Sequence, residues 1–202
     1  MKKITYGLGL VVLIVITFFI VTTPVYNRYM NYEEDMNKSF GEIQNQLRRQ
    51  YELIPNMVEA VKGEAKFEQD TFTQVAEARS KAGGQINMDP SKIANDPEAQ
   101  RKLQEAQNSL SGALSRLLSV QEKYPELKAN KGFQDLRAEI AGTANRITRA
   151  RSNAQSAISN YNREVRNQPG KIVAWMYGFF PKPYYDAGPE AQSGSGLVNF
   201  GK

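Results

Sequence analysis

Glu64 and Glu68 stand one helical turn apart, the spacing at which two carboxylates share one face of a helix and could bind a metal ion or divide a proton between them. In helical bundles such carboxylates are joined by a Glu-x-x-His motif on facing helices. The chain has no histidine and no cysteine. Their absence removes imidazole bases, thiol nucleophiles, disulfides, a lipid-bearing cysteine and the usual zinc sites. No G-x-S-x-G elbow and no glycine-rich phosphate loop occurs, and SGSG at 193–196 has linker composition. A carboxylate-based enzyme is left as a remote reading, and no catalytic, metal or cofactor residue is assigned.

Three charges fall where the apolar pattern calls for core residues: Glu68 and Arg79 on the first long pattern, and Arg151 between Ile147 and Ala154 on the last. A charge on a packed face is costly unless it is paired. If the loop at 82–96 caps one end of a bundle, Glu68 lies about 20 Å and Arg151 about 24 Å below that end at 1.5 Å per residue. A structural Glu68–Arg151 ion pair is therefore predicted, against a reading in which both side chains snorkel to solvent. The net charge of +5 is carried locally: Arg137, Arg146, Arg149, Arg163 and Arg166 stand against Glu139 and Glu164. Arg146, Arg149 and Arg163 share a helical face with Asn153 and Asn160, with Arg166 close by. That face is either solvated surface or a contact for an acidic protein or anionic headgroups. Nucleic acid is not expected, because no binding motif or aromatic platform frames the arginines.

The elements that must position these residues all read as helices. Residues 1–27 form a single-pass anchor: Ile4 to Asn27 carry no charge, and Ile4 to Val21 are nearly all apolar, enough to cross a hydrocarbon core of about 30 Å. The competing reading is a cleaved signal peptide and a released extracytoplasmic binding protein, but VTTPVY offers no small-x-small cleavage site. Lys2, Lys3 and the amino terminus, set against Arg28 and Lys38, lean towards an extracytoplasmic bundle. Residues 28–180 form the bundle, with helices at about 28–81, 97–124 and 131–167 and a short one at 170–177. Met36, Phe40, Ile43, Leu47, Tyr51, Ile54, Val58 and Val61 keep the period of about 3.6 as far as Phe72. Pro55 interrupts this run without a capping residue before it, so a tolerated kink costing about 3 kcal/mol is expected, with a functional hinge as the alternative. Asp96-Pro97 starts the second helix, Pro125 stops it, and Pro169-Gly170 ends the third. From Pro181 the composition reads as a flexible tail, 181–202. The expected fold is all-α: an N-terminal transmembrane helix continuous with a long helix in an antiparallel three- to four-helix bundle.

The stretch RRQYELIPNMVEAVKG, followed by EARSKA, YPELKAN, NRITRAR, the Tyr161-Asn162 pair and YGFFPKPYYDA, resembles the LemA family of bacterial membrane proteins. The resemblance covers most of the chain beyond the apolar run. The tryptophan usual in the family before the arginine pair is Phe40 here, and its earlier Tyr-Asn falls on Ala154-Gln155. The resemblance implies a single-span anchor, a soluble antiparallel helical bundle and no agreed enzymatic activity.

A first bundle helix of about 80 Å is much longer than the other two, about 42 and 54 Å. If the shorter helices cover only its far part, residues 28 to about 50 stand as a stalk. The stripe Met36, Phe40, Ile43 and Leu47 would then be exposed and would mark a homo-oligomer interface. The favoured reading is a non-enzymatic membrane-anchored scaffold or adaptor that self-associates through the stalk and meets a protein partner not named by the sequence. The aromatic run Trp175, Tyr177, Phe179, Phe180, Tyr184 and Tyr185 has two readings, a latch packed on the bundle or an interfacial cluster.

Overall fold

Unbroken apolar periodicity at the amino end produces one very long helix. α1 spans Lys2–Glu64, 63 residues, about 95 Å at 1.5 Å per residue. The computed structural model describes residues 2–64 and 69–185. No strand occurs among them, and the fold is all-α. Large apolar side chains from Leu8 to Val21 are exposed, on a helix long and apolar enough to cross a membrane. Cover begins abruptly beyond them: Thr22, Val25 and Tyr29 are buried. The apolar amino-terminal segment and the central helix of the bundle are thus one element. Pro24 and Pro55 both lie inside it, and at Pro55 the helix continues, as the missing cap predicted.

The helix does not run on to residue 81. α1 ends at Glu64, and α2, Gln69–Gly83, returns antiparallel beside it, so that Arg79 and Gly83 reach Tyr51 while Phe72 reaches Lys62. The apolar period hid this turn because both limbs are helical and the stripe stays in phase across it. The loop after α2 is consequently not the top of the bundle. It lies halfway down α1, where the Gln44 amide donates to the carbonyls of Ile86 (2.8 Å) and Met88 (2.7 Å). Within it Asp89 caps an extra helix, α3, Pro90–Asn95. The same Asp-Pro signature starts α4, Pro97–Ser119, where Asp96 accepts from the Glu98 N–H. α4 is shorter than the expected 97–124; a 3-10 turn, Val120–Glu122, and α5, Glu126–Ala129, complete the top.

α6, Lys131–Arg166, is capped by Asn130 and descends along the whole soluble part of α1. The register is fixed by Arg49–Glu139, Gln46–Arg146, Tyr29–Tyr161 and Arg28–Glu164. Its 36 residues, about 54 Å, match the length of α1 beyond the membrane. The predicted stalk therefore does not exist. Met36, Phe40, Ile43 and Leu47 are at most 1 % exposed, inside one core with Ile147, Ala154, Ile158 and Tyr161. Their apolar stripe faces partners in the same chain, so it is not an interface between copies.

The chain then closes on itself. α7, Gly170–Tyr177, crosses the membrane-facing end of the bundle against α1. Gly178, at φ 74°, ends it in the left-handed conformation that glycine adopts without strain. Residues 179–185 climb back between α1 and α6, so Pro181 to Tyr185 belong to the packed structure and not to a loose tail. The rest of the expected tail, 186–202, lies outside the described residues.

Candidate functional site

Two places on this frame gather chemistry. The first is an open groove of about 530 Å³ where α1 turns into α2, lined by Tyr51, Ile54, Pro55, Val58, Phe72 and Val75, with Glu59, Lys62 and Arg79 among its polar groups. Pro55 is a wall of this groove. Arg79, the charge on the apolar stripe of α2, lies with its guanidinium 4.3 Å from the Tyr51 ring centre, a cation–π contact that lets a cation stand on a packed face. Along α1, Pro55 is about 40 Å beyond Arg28.

The second is a lock that holds residues 179–185 against the bundle near the membrane. The Asn162 side chain, 1 % exposed, pairs with the backbone of Lys182 as a strand would: its Oδ1 accepts from the N–H at 2.7 Å and its Nδ2 donates to the carbonyl at 2.9 Å. The Lys182 ammonium reaches Glu33 at 2.8 Å and Asn95 and lies 5.1 Å from the Tyr161 ring centre. Below it Phe179 stacks on Tyr29 with centroids 4.5 Å apart. Above it Tyr185 sets its ring edge-on to Phe40 at 5.4 Å. The latch reading holds for Phe179 and Tyr185. Lys182, Asn162, Glu33 and Tyr29 were not singled out from the sequence as a site, although Tyr161-Asn162 and the run YGFFPKPYYDA carried part of the family resemblance. The pairing of an amide with a backbone twenty residues later has no sequence period.

Arg151 belongs to this second region. Its guanidinium lies 5.1 Å from the Tyr185 ring centre, level with Phe40. Glu68, its predicted partner, lies outside the described residues. The levels inferred for the two took the loop at 82–96 as the end of the bundle, and that loop lies halfway down α1.

The four arginines of the presumed partner face do not form one basic surface. Arg146 donates to Gln46 Oε1 at 2.8 Å and Arg163 to Asn160 Oδ1 at 2.7 Å, while Arg149 and Arg166 are exposed. Asn153 and Asn160 line a polar cleft between α1 and α6 together with Asp35, Lys38 and Glu42, so carboxylates from α1 dilute the field. Among the described residues no three His, Cys, Asp or Glu groups cluster as metal ligands.

Burial sets the titration of the lock. The Tyr29 phenol, which donates to the Gly170 carbonyl at 3.0 Å, is pushed up to about 12, by desolvation first and by the Glu164 carboxylate second. Burial likewise raises Tyr161 and Tyr185. A phenol whose folded pKa lies above its unfolded value of about 10 stabilises the fold in full below that pH and loses the contribution as pH rises through the folded pKa. Thermal melts of the full chain are expected to hold steady up to about pH 10 and to fall above it, and Tyr29→Phe should flatten part of that fall. An unchanged alkaline slope in the variant would remove Tyr29 from this account.

The sequence has counterparts among known proteins. Over 192 residues the chain is 23% identical to magnetosome protein MamQ 2 of Paramagnetospirillum magneticum, covering 88% of this chain and 71% of that one. It is 21% identical to MamQ of Magnetospirillum gryphiswaldense over 196 residues, covering 90% and 72%. It is 28% identical to protein LemA of Metamycoplasma hominis over 169 residues, covering 79% and 68%. The sequence model of the LemA family matches residues 39–200, a span that takes in the LIPN wall of the groove, the Tyr161-Asn162 pair and the PKP lock. This membrane-associated helical chain belongs to the LemA family.

Proposed function

We propose that the protein is a non-enzymatic scaffold that holds an apolar docking groove at a fixed height above the membrane, on the extracytoplasmic side. One observation carries this reading: the groove at Pro55 is built on the same uninterrupted helix as the apolar run long enough to cross a membrane. A helix of that length with α6 bound along it transmits position and orientation, not motion. The groove takes an apolar segment of a partner, with Lys62, Glu59 and Arg79 fixing its direction. The relatives are named for the magnetosome or for the family, and those names specify no reaction. The released-protein alternative loses support because Thr22 and Val25 are packed parts of α1, so cleavage near them would cut into the bundle.

The chain has no cysteine, so a single thiol at the groove rim tests both parts of the proposal. Ser80→Cys in intact cells is expected to react with a membrane-impermeant maleimide, and a photocrosslinker on that thiol to capture one defined protein. Ala76→Glu, at an exposed position of the groove wall, should abolish the capture without altering the melt. A thiol reactive only after cell lysis would overturn the side, and capture that survives Ala76→Glu would overturn the groove.

A further inference from the structure

The membrane-facing end of the bundle carries apolar groups that the latch does not use. α7 buries Val173 and Ala174 against the bundle, while Ile172, Trp175 and Met176 point away, with Trp175 85 % exposed. Phe180, 74 % exposed, extends the same surface past Gly178. A tryptophan left almost wholly in water beside a phenylalanine, an isoleucine and a methionine is not a solubility feature; such patches on a folded chain mark a contact. Its position names the contact. α7 and the residues after it pack on Tyr26 and Tyr29, through Tyr177 at 5.0 Å from the Tyr26 ring, Phe179 and the Gly170 carbonyl. That is one to two turns past Val21, where the lipid-exposed part of α1 ends. Lys171 and Arg166 are exposed at the same end, with Arg28 tied to Glu164 at 2.7 Å. Aromatic and apolar groups flanked by cations, at the level where a span leaves the hydrocarbon, suit the headgroup boundary.

We propose that α7 and Phe180 form a second membrane contact, an interfacial wedge that dips into the leaflet from which α1 emerges. The occupant is the lipid surface itself, because the patch is held on Tyr26 and Tyr29, one to two turns from the exposed apolar run of α1. With one helix through the bilayer and a second element resting in it, the bundle cannot swivel or tilt about the anchor, and the Asn162–Lys182 lock keeps the wedge in place. The inference rests on the span and the exposed face, and it stands whether or not the Pro55 groove docks a partner.

The chain supplies its own probe, since Trp175 is its single tryptophan. Full-length protein in phosphatidylcholine vesicles containing phosphatidylglycerol is expected to show blue-shifted tryptophan emission, shielding from iodide, and strong quenching by lipids brominated high on the acyl chain. Ile172→Glu combined with Met176→Glu changes only exposed positions and should return the emission to that of a water-exposed indole, with the melt unchanged. Emission open to iodide in the wild type would overturn the wedge. So would an indole shielded from iodide but not quenched by brominated lipid, which would show a cover made of protein.

Discussion

Phe40→Ala is expected to lower the stability of the full-length chain by about 3–5 kcal/mol, the range for deleting a buried aromatic ring, and Phe40→Asp to abolish cooperative melting. The ring has no exposed surface. It meets Tyr185 edge-on, and it sits in the core between Met36 and Ile43 where α1 and α6 lie together. Removing it leaves a cavity among rigid helices and takes away the seat of Tyr185. Thermal or urea denaturation in mild detergent reads the loss. On a free stalk joined to a second copy, the same substitution would dissociate an oligomer and leave the melt of the monomer nearly unchanged. Cysteines placed at positions 40 or 43 are accordingly not expected to crosslink between copies. Efficient crosslinking there, with wild-type stability, would restore the stalk and sink the intramolecular cover.

Gly170→Ala is expected to cost about 3 kcal/mol, at the upper end for overpacking, and to unseat α7. A Cβ at this position would fall far inside contact distance of the Glu164 backbone carbonyl and 3.0 Å from the Tyr29 hydroxyl. The carbonyl belongs to α6 and cannot swing away as a flexible side chain could. The turn between α6 and α7 must therefore open, which breaks the bond from Tyr29 to the Gly170 carbonyl and loosens the stacking of Phe179 on Tyr29. Limited proteolysis between α6 and residue 185 should become fast in the variant, with the melting temperature lowered. A variant that resists protease like the wild type would show that the backbone at this turn yields more readily than its packing implies.

Much of the architecture was legible along the chain, for local reasons. The apolar run to Val21, the Asp96-Pro97 start and the Pro169-Gly170 stop are each set by residues within one or two turns. α6 and α7 accordingly fall within a residue of their expected limits. No capping residue precedes Pro55, and α1 continues through it. α3 was missed although Asp89-Pro90 is the same signature as Asp96-Pro97; six residues are too few to show a period.

The sequence by itself determined an all-α chain with an apolar amino-terminal helix, the starts and stops of most helices, and the absence of histidine and cysteine chemistry. Only the tertiary structure decided that α1 turns back at Glu64, that the stripe from Met36 to Leu47 is core, that Arg151 lies over Tyr185, and that Lys182 is clasped by Asn162, Glu33 and Asn95. The reason lies in what each feature depends on. Helical periodicity says which side of a helix is apolar but not what covers it. A stripe in phase across a reversal is the same for one long helix and for two antiparallel ones. Cover depends on matched lengths, and α6 equals the soluble part of α1 only once α1 is known to end at residue 64.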